Sequence, residues 1–378
     1  MREILFVAGE PSGDTNAAGV ARQLKADRAP YALVGVGGDQ MQSAGVQLIE
    51  HIRNLAIMGF AGILTQLPRH WLLLNDIRGR LQSGRVALVV LIDYGGFNLQ
   101  VAAAAKAARV PVLYYITPQV WASRPGRIRS LAATVTKAAV IFKFEEELLA
   151  NSGVDAVFVG HPMLDRATEL PSRSDARASL GVAADRHLLA LFPGSRAQEI
   201  DRHLAPFVET ARRLKAADPA LDVVVSGAPT VTIDPKRCPY PVLRSSSLML
   251  LRAADAALCK SGTTTLEAAV AGCPFIIGYR AGALDYVIAK HIITIADIGM
   301  VNVVAGRRVV PEFVQDALDP DRMVPVLAEL LEASSPRRAE MVAALEDVRS
   351  RLGAPGASKR VAALALEMAV GAPTLPGS

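Results

Sequence analysis

The strongest constraint on this chain is an alternation. Short aliphatic and β-branched runs, each closed by Gly, Pro or charge, are followed by segments with helical spacing. In the first half the runs are Ile4 to Ala8, Ala32 to Val36, Val86 to Ile92, Val110 to Ile116 and Ala139 to Phe142. They are continuously apolar rather than alternating, which suits parallel strands covered on both faces. Helical segments such as Ala17 to Lys25 and Leu99 to Ala108 lie between them. The turn-rich stretch from Gly160-His161-Pro162 to about Asp185 reads as an interdomain linker. The alternation then restarts with Leu188 to Phe192, Val223 to Ser226, Ala256 to Cys259 and Phe275 to Tyr279. A helix from about Gln198 carries its apolar positions at Leu204, Phe207, Val208, Ala211 and Leu214. The expected class is α/β, with parallel-sheet domains at 1–165 and 166–345. A helical segment at 346–378 is expected to pack back on the first domain or on a partner. Two such domains imply a cleft between them, with ligands at the carboxyl ends of the strands.

The 378 residues are enough for two domains, and 51% hydrophobic content supplies a large core. Aromatics are only 5%, and a net charge of +5 comes without runs of Lys or Arg, so nucleic-acid binding is not expected. Cys238, Cys259 and Cys273 are too few and too irregularly spaced for a disulfide framework or a zinc site, and no metal is expected. Met1-Arg2-Glu3 leads directly into a strand, with Glu10, Pro11 and Gly13 too early for a signal peptide, which points to the cytoplasm.

One segment breaks the rhythm. Leu55 to Leu74 is strongly apolar, with Met58, Phe60, Leu64 and Trp71 among its large residues, and Pro68-Arg69-His70 interrupts it. That interruption excludes a spanning helix. Two readings stand: an interfacial element dipping into lipid headgroups, or a helical pair packed in the core. Arg69, Arg78, Arg80 and Arg85 flank it, and Arg124, Arg127 and Arg129 cluster further on. Such a rim suits anionic headgroups and equally a solvated face.

The chemistry concentrates in the loops after the strands. Gly9-Glu10-Pro11-Ser12-Gly13-Asp14 opens a helix, where glycines allow close backbone approach. Its spacing is not Gly-x-Gly-x-x-Gly, which disfavours a nicotinamide cofactor. Pro193-Gly194-Ser195-Arg196 joins a strand to a helix. Gly194 permits tight approach, Ser195 donates through N–H and hydroxyl, and Arg196 offers a fork for phosphate oxygens. Lys260-Ser261-Gly262-Thr263-Thr264-Thr265-Leu266-Glu267 repeats the device, and two donor-rich turns in one domain fit a diphosphate. Glu267 either reaches ribose hydroxyls or complements the helix dipole. Asp93, at a strand end, is placed to act as a general base for a sugar hydroxyl, or else caps the next turn. Gln119 and Trp121 follow the fourth strand on the same side. His161, at the hinge, is more readily held by hydrogen bonds than used in proton transfer.

Together these segments resemble the lipid-A-disaccharide synthase family of inverting GT-B glycosyltransferases. The matching pieces are Ala8-Gly9-Glu10-x-Ser12-Gly13-Asp14, Gly35-x-Gly37-Gly38-x-x-Met41, Met58-Gly59 and Ile92-Asp93 with Phe97-Asn98. They continue with Pro118-Gln119-Val120-Trp121-Ala122, Gly160-His161-Pro162 and Pro193-Gly194-Ser195-Arg196-x-x-Glu199-Ile200. Ser261-Gly262-Thr263-x-Thr265-Leu266-Glu267 and Asn302-x-x-Ala305-Gly306-Arg307 with Pro311-Glu312-x-x-Gln315 complete the set, in family order. The resemblance implies two Rossmann-like domains and condensation of UDP-2,3-diacylglucosamine with 2,3-diacylglucosamine 1-phosphate, without a metal. It assigns catalysis to Asp93 and Arg196. Donor binding falls to Gly194, Ser195, Arg196, Ser261, Gly262, Thr263, Thr265, Glu267, Asn302, Glu312 and Gln315. Ser12, Gly13, Asp14, Asn98, Gln119 and Trp121 would line the acceptor side. Met58, Phe60, Leu64 and Trp71 would meet acyl chains and the cytoplasmic face of the inner membrane, and a homodimer is suggested.

The pattern departs from the family at Gly95-Gly96, where a Pro-Asp pair is usual, so a second carboxylate is missing. Pro11, Ser123 and Met300-Val301 also depart. The rival readings are another GT-B lipid transferase, a UDP-N-acetylglucosamine 2-epimerase handling only soluble substrate, and a non-catalytic nucleotide-sugar sensor. Vesicle binding distinguishes the epimerase from the lipid enzymes, and UDP release distinguishes the sensor.

Overall fold

The structure, a computed structural model, describes residues 1–55, 59–121, 126–228, 231–282 and 297–372, the side chains of 59–67 excepted. The chain divides into two compact units: Met1–Asp165 with Ala354–Ser378, and Arg166–Gly353.

Among the described residues of the first unit, seven strands form one parallel sheet: β1 (Glu3–Ala8), β2 (Ala32–Gly37), β3 (Gln47–His51), β4 (Val86–Ile92), β5 (Val112–Tyr115), β6 (Lys137–Val140) and β7 (Ala156–Phe158). Their order is β3-β2-β1-β4-β5-β6-β7. Central β1 and β4 are buried at every position, as continuous apolar runs require. Each fully buried Val, Leu or Ile contributes roughly 1.5–3 kcal/mol, so these two strands anchor the unit. β3 and β7 at the edges are short and half-buried, and the apolar-run criterion passed over them. The helices are α1 (Pro11–Ala26), α2 (Asp39–Ser43), α3 (Gly59–Gln82), α4 (Gly95–Ala107), α5 (Arg127–Thr134) and α6 (Lys143–Ala150).

The Leu55 to Leu74 segment differs from its reading. Pro68 does not divide it: α3 runs unbroken from Gly59 to Gln82. Pro68 removes one backbone donor, but Leu73, Leu74, Ile77 and Leu81 lock the following turns into the core. Trp71 and Leu72, by contrast, are 60% and 62% exposed. Met58 lies outside the described residues, as do the side chains of Phe60 and Leu64. No described helix is long and apolar enough to cross a membrane. Two arginines of the flanking rim are already paired, Arg69 with Glu50 at 3.1 Å and Arg80 with Glu3 at 2.9 Å.

The supposed linker is folded. α7 (Met163–Ala167) and α8 (Arg173–Ser179) occupy it. The buried Arg177 donates to Ala253 O at 3.0 Å, Ala183 O at 2.7 Å and Asp255 Oδ2 at 3.1 Å. A turn-rich composition concealed this, because its polar side chains bond inward.

The second unit carries β8 (Leu188–Phe192), β9 (Asp222–Ser226), β10 (Val242–Leu243), β11 (Ala256–Lys260), β12 (Phe275–Tyr279) and β13 (Glu312–Val314). Among the described residues they form a parallel sheet in the order β10-β9-β8-β11-β12-β13. Its helices are α9 (Ala197–Ala217), α10 (Ser247–Ala253), α11 (Thr264–Ala271), α12 (Met300–Ala305), α13 (Pro320–Leu331) and α14 (Pro336–Arg351). The last helix, α15 (Ala357–Val370), belongs to the first unit and packs on α1. The Asp165 carboxylate accepts from the α15 amides of Gly356, Ala357 and Ser358 at 2.5, 3.1 and 3.0 Å. That is an N-terminal cap supplied from far along the chain.

Candidate active site

In each sheet the strand order reverses at one place, and ligands of open α/β sheets gather at the carboxyl ends there. In the first unit the reversal falls between β1 and β4, which run side by side with Ala8 beside Ile92. The next residues are therefore Gly9-Glu10 and Asp93-Tyr94, and topology brings these two loops together.

Asp93 and Tyr94 both take left-handed backbone, φ 51° and 54°. For a residue such as Tyr this costs on the order of 1 kcal/mol or more and needs an external hold. Asn98 supplies it. Fully buried in the first turns of α4, its side-chain N–H groups donate to Asp93 O at 2.7 Å and to Val7 O and Ile92 O at 3.3 Å. The Tyr114 hydroxyl also donates to Asp93 O, at 2.8 Å. Gly9 is required on the other side, because a Cβ there would lie 2.1 Å from the Tyr94 ring. Tyr94 packs with His70 and Phe97 and bonds His70 through its hydroxyl. Burial pushes the Asp93 carboxyl above its ordinary 3.8, and the charge of Glu10 adds to the shift against the bond from the Tyr94 amide. A raised aspartate at a strand end is suited to taking a proton from a sugar hydroxyl. Glu10 as a second carboxylate beside Asp93 was not singled out from sequence. Its signal is the strand-end position alone.

Some of the other residues expected on this side have structural tasks. The buried Asp14 carboxylate accepts from the amides of Gly38, Gln40 and Met41 at 2.7, 3.0 and 3.0 Å. It binds α2 to α1, which accounts for the Gly37-Gly38-x-x-Met41 pattern. Ser12 is exposed in the first turn of α1, and Gly13 is buried against Ala8 and Ile92. Gln119 is exposed after β5. Trp121 donates from its indole nitrogen to Glu145 Oε1 at 2.9 Å and packs edge-to-face with Phe144, ring centres 5.2 Å apart. Burial pushes Glu145 up to about 7, against the bonds from Trp121 and the Phe142 amide. His161 is buried; its Nδ1 accepts from the Met163 amide at 3.2 Å and its ring packs on Phe142, the held role expected of it.

In the second unit the reversal falls between β8 and β11, where Phe192 lies beside Cys259. The two donor-rich turns that follow, Pro193 to Arg196 and Lys260 to Thr263, are thereby neighbours. Their donors are partly engaged already. Glu199, in the first turn of α9, accepts the amides of Ser195 at 2.9 Å and Arg196 at 3.3 Å on Oε2. Its Oε1 meets Arg196 Nη1 at 3.2 Å and Lys260 Nζ at 3.0 Å. The Ser195 N–H, expected to meet a ligand, is thus bonded to Glu199 in this structure. Gly194, at φ 129°, makes room: a Cβ there would stand 2.5 Å from Glu199 Cβ. Burial would raise Glu199, but the Ser195 amide and Lys260 outweigh it and hold the carboxyl below its usual value. Arg196 keeps 76% of its side chain exposed.

Two hydroxyls of the second turn are committed, Ser261 Oγ to Ile298 O at 2.7 Å and buried Thr265 Oγ1 to Gly262 O at 2.8 Å. Thr263 is exposed at the start of α11, and Gly262 takes φ 154°. Glu267 is buried and accepts from Ser247 Oγ at 2.7 Å. Asn302 is spent on the chain: its Oδ1 accepts Val309 N and Val310 N at 2.9 Å, and its Nδ2 donates to Val310 O at 2.9 Å and Glu312 Oε1 at 2.8 Å. Glu312 also accepts Ile298 N at 3.0 Å and Gly299 N at 2.9 Å. Gln315 Oε1 accepts Ala281 N at 2.7 Å. These residues brace the loops beside β12 and β13. His203, missed from sequence, joins them: its Nδ1 bonds Glu199 O at 2.7 Å and its Nε2 accepts Arg280 N at 2.9 Å. Burial holds its pKa below the ordinary value. Among the described residues no His, Cys, Asp or Glu cluster is arranged to hold a metal.

Residues 4–366 match the family model described as Lipid-A-disaccharide synthetase. A lipid-A-disaccharide synthase of Anaeromyxobacter sp. (strain K) is 37% identical over 368 residues, covering 95% of this chain and 96% of that one. That of Myxococcus xanthus (strain DK1622) is 36% identical over 372 residues, covering 97% of each. Among solved structures, the glycotransferase of kitacinnamycin aligns at TM-score 0.66 and 16% identity, covering 97% of this chain and 98% of that one. MurG of Acinetobacter baumannii aligns at 0.58 and 14%, covering 97% and 100%. A UDP-GlcNAc 2-epimerase from Neisseria meningitidis aligns at 0.64 and 12%, covering 97% and 100%. At such identities these structures show the fold, the two Rossmann-like parallel-sheet units of GT-B architecture.

Proposed function

The chain belongs to the lipid-A-disaccharide synthase family, and we propose that the two strand-end constellations just described are its acceptor and donor sites. The enzyme is a glycosyltransferase that condenses UDP-2,3-diacylglucosamine with 2,3-diacylglucosamine 1-phosphate, giving the β-1,6-linked disaccharide 1-phosphate and UDP. Asp93 takes the proton of the acceptor 6-hydroxyl as that oxygen attacks the anomeric carbon. The bond from that carbon to the diphosphate breaks from the opposite side, which inverts the centre. Arg196 meets the negative charge gathering on the departing UDP. The work is done without a metal. Gly194, Ser195, Ser261, Gly262 and Thr263 form the donor turns, while Thr265, Glu267, Asn302, Glu312 and Gln315 hold them in shape. Ser12, Gly13, Asn98, Gln119 and Trp121 frame or brace the acceptor side, and Asp14 fixes its floor.

The carrying observation is the place of Asp93 at the sheet's reversal point, in a left-handed turn held by Asn98. The acyl chains and the cytoplasmic face of the inner membrane are met at α3. Its exposed Trp71 and Leu72 support this; the groove of about 660 Å³ beside them is mixed, with Ile49, Pro68, Leu72 and Leu73 alongside Glu50, Arg69 and Asp76. The test is a mass-resolved assay with the two diacylated glucosamine substrates in detergent micelles, with and without chelator. Disaccharide and UDP are expected, insensitive to chelator and lost in Asp93→Ala and Arg196→Ala. Full turnover in either variant overturns the assignment.

A further inference from the structure

The Glu199 carboxylate is coordinated as a phosphate group would be. Two backbone amides, a guanidinium and an ammonium converge on its two oxygens at 2.9 to 3.3 Å. Three of these donors come from the turn after β8 and the fourth, Lys260, from the end of β11, so they are assembled by the strand pairing at the reversal point. Lys260 is more confined than Arg196: its side chain is 20% exposed against 76%, and its Nζ lies 5.8 Å from the centre of the Tyr279 ring. A Cβ on Gly262 would come within 3.7 Å of that Nζ, so the ammonium sits directly beside the glycine turn. The Tyr279 ring is in turn stacked on His203 at 5.7 Å, and His203 is tied to α9 at Glu199 O and to the Arg280 amide just after β12. The ammonium is thus fixed from three sides.

We propose that Lys260 is a further donor-binding residue, held in place by Glu199, whose carboxylate fills the anion position until the donor's diphosphate displaces it. This rests on the reading of the β8–β11 reversal as the donor site. A diphosphate brings more negative charge and more acceptor oxygens than a carboxylate, so exchange gives both cations and both amides a stronger partner. Displacement requires only that the Glu199 side chain, 14% exposed, turns about its own bonds while the backbone of α9 stays. In the resting enzyme the same carboxylate keeps two cations from repelling one another.

Calorimetric titration of the full chain with UDP and, separately, with uridine tests this. Lys260→Met is expected to weaken UDP about tenfold or more and leave uridine unchanged, with Lys260→Arg recovering much of the loss. Unchanged uridine affinity also shows that the variant is folded. Glu199→Gln is expected to tighten UDP severalfold, since it removes the competing charge and keeps the amide-accepting oxygen. If Arg196→Ala weakens UDP and Lys260→Met does not, the role of Lys260 is overturned. If Glu199→Gln weakens UDP, displacement of the carboxylate is overturned. If wild-type enzyme binds UDP no better than uridine, or Arg196→Ala has no effect, the donor-site reading itself fails.

Discussion

The side-chain amide of Asn98 donates to the carbonyl of Asp93 at 2.7 Å and thereby holds two consecutive left-handed residues, Asp93 and Tyr94, in their turn. The bond links a buried helix residue to the carboxylate placed to act as base, without touching that carboxylate. Asn98→Ala should therefore lower kcat about 100-fold by releasing the turn, the scale expected of a misplacement near 1 Å. UDP affinity should be unchanged. Undiminished kcat would show that the turn holds itself.

Turnover should rise with pH as Asp93 loses its proton, along a limb lying above the 3.8 of an ordinary aspartate. Burial is the larger cause of that shift and Glu10 the next. Glu10→Gln should move the limb to lower pH without returning it to 3.8, because the burial persists. A pH–rate profile decides it, and an unmoved limb would separate Glu10 from the base.

Gly96 should accept a carboxylate. A Cβ there meets nothing within 4 Å, and an acidic side chain in the first turn of α4 is favoured by the helix dipole. Gly96→Asp should keep or raise the melting temperature and shift the Asp93 limb upward. A fall of several degrees would show that the glycine is needed for the turn.

Glu145 makes stability pH-dependent. Its folded value of about 7 lies above the 4.5 of the free residue. Between these values the folded chain keeps a proton that the unfolded chain has lost, so stability falls as pH rises through the window. The full loss is about 3 kcal/mol at most. Glu145→Gln can still accept from Trp121 and should flatten that slope in denaturant titrations at pH 4.5 and pH 8. An unchanged slope places the titration elsewhere.

Trp71→Ala with Leu72→Ser should reduce co-sedimentation with anionic vesicles and leave UDP binding intact, because both side chains are exposed. Equal sedimentation would remove α3 from the membrane contact.

The continuous apolar runs were legible as buried parallel strands, and β4, β8 and β12 begin and end where their runs do. The edge strands were not, since β3, β7, β10 and β13 are short and half-exposed and lack such runs. The unbroken α3 was hidden because a proline marks a weak point in a helix, while the packing of Leu73, Leu74, Ile77 and Leu81 decides whether it breaks.

The site divides along the same line. Local sequence determined which turns carry glycine, hydroxyl and charge, because those properties belong to a residue and its immediate neighbours. It also carried the ordered motifs that place the chain in its family. What each polar group does was decided by tertiary structure. Asn302 and Glu312 turned inward to brace a loop, Glu199 turned onto the donor turns, and Lys260 arrived beside them only because β11 pairs with β8. A hydrogen bond forms with whatever strand order brings within 3 Å or so, and strand order is set by long-range packing that no local window contains.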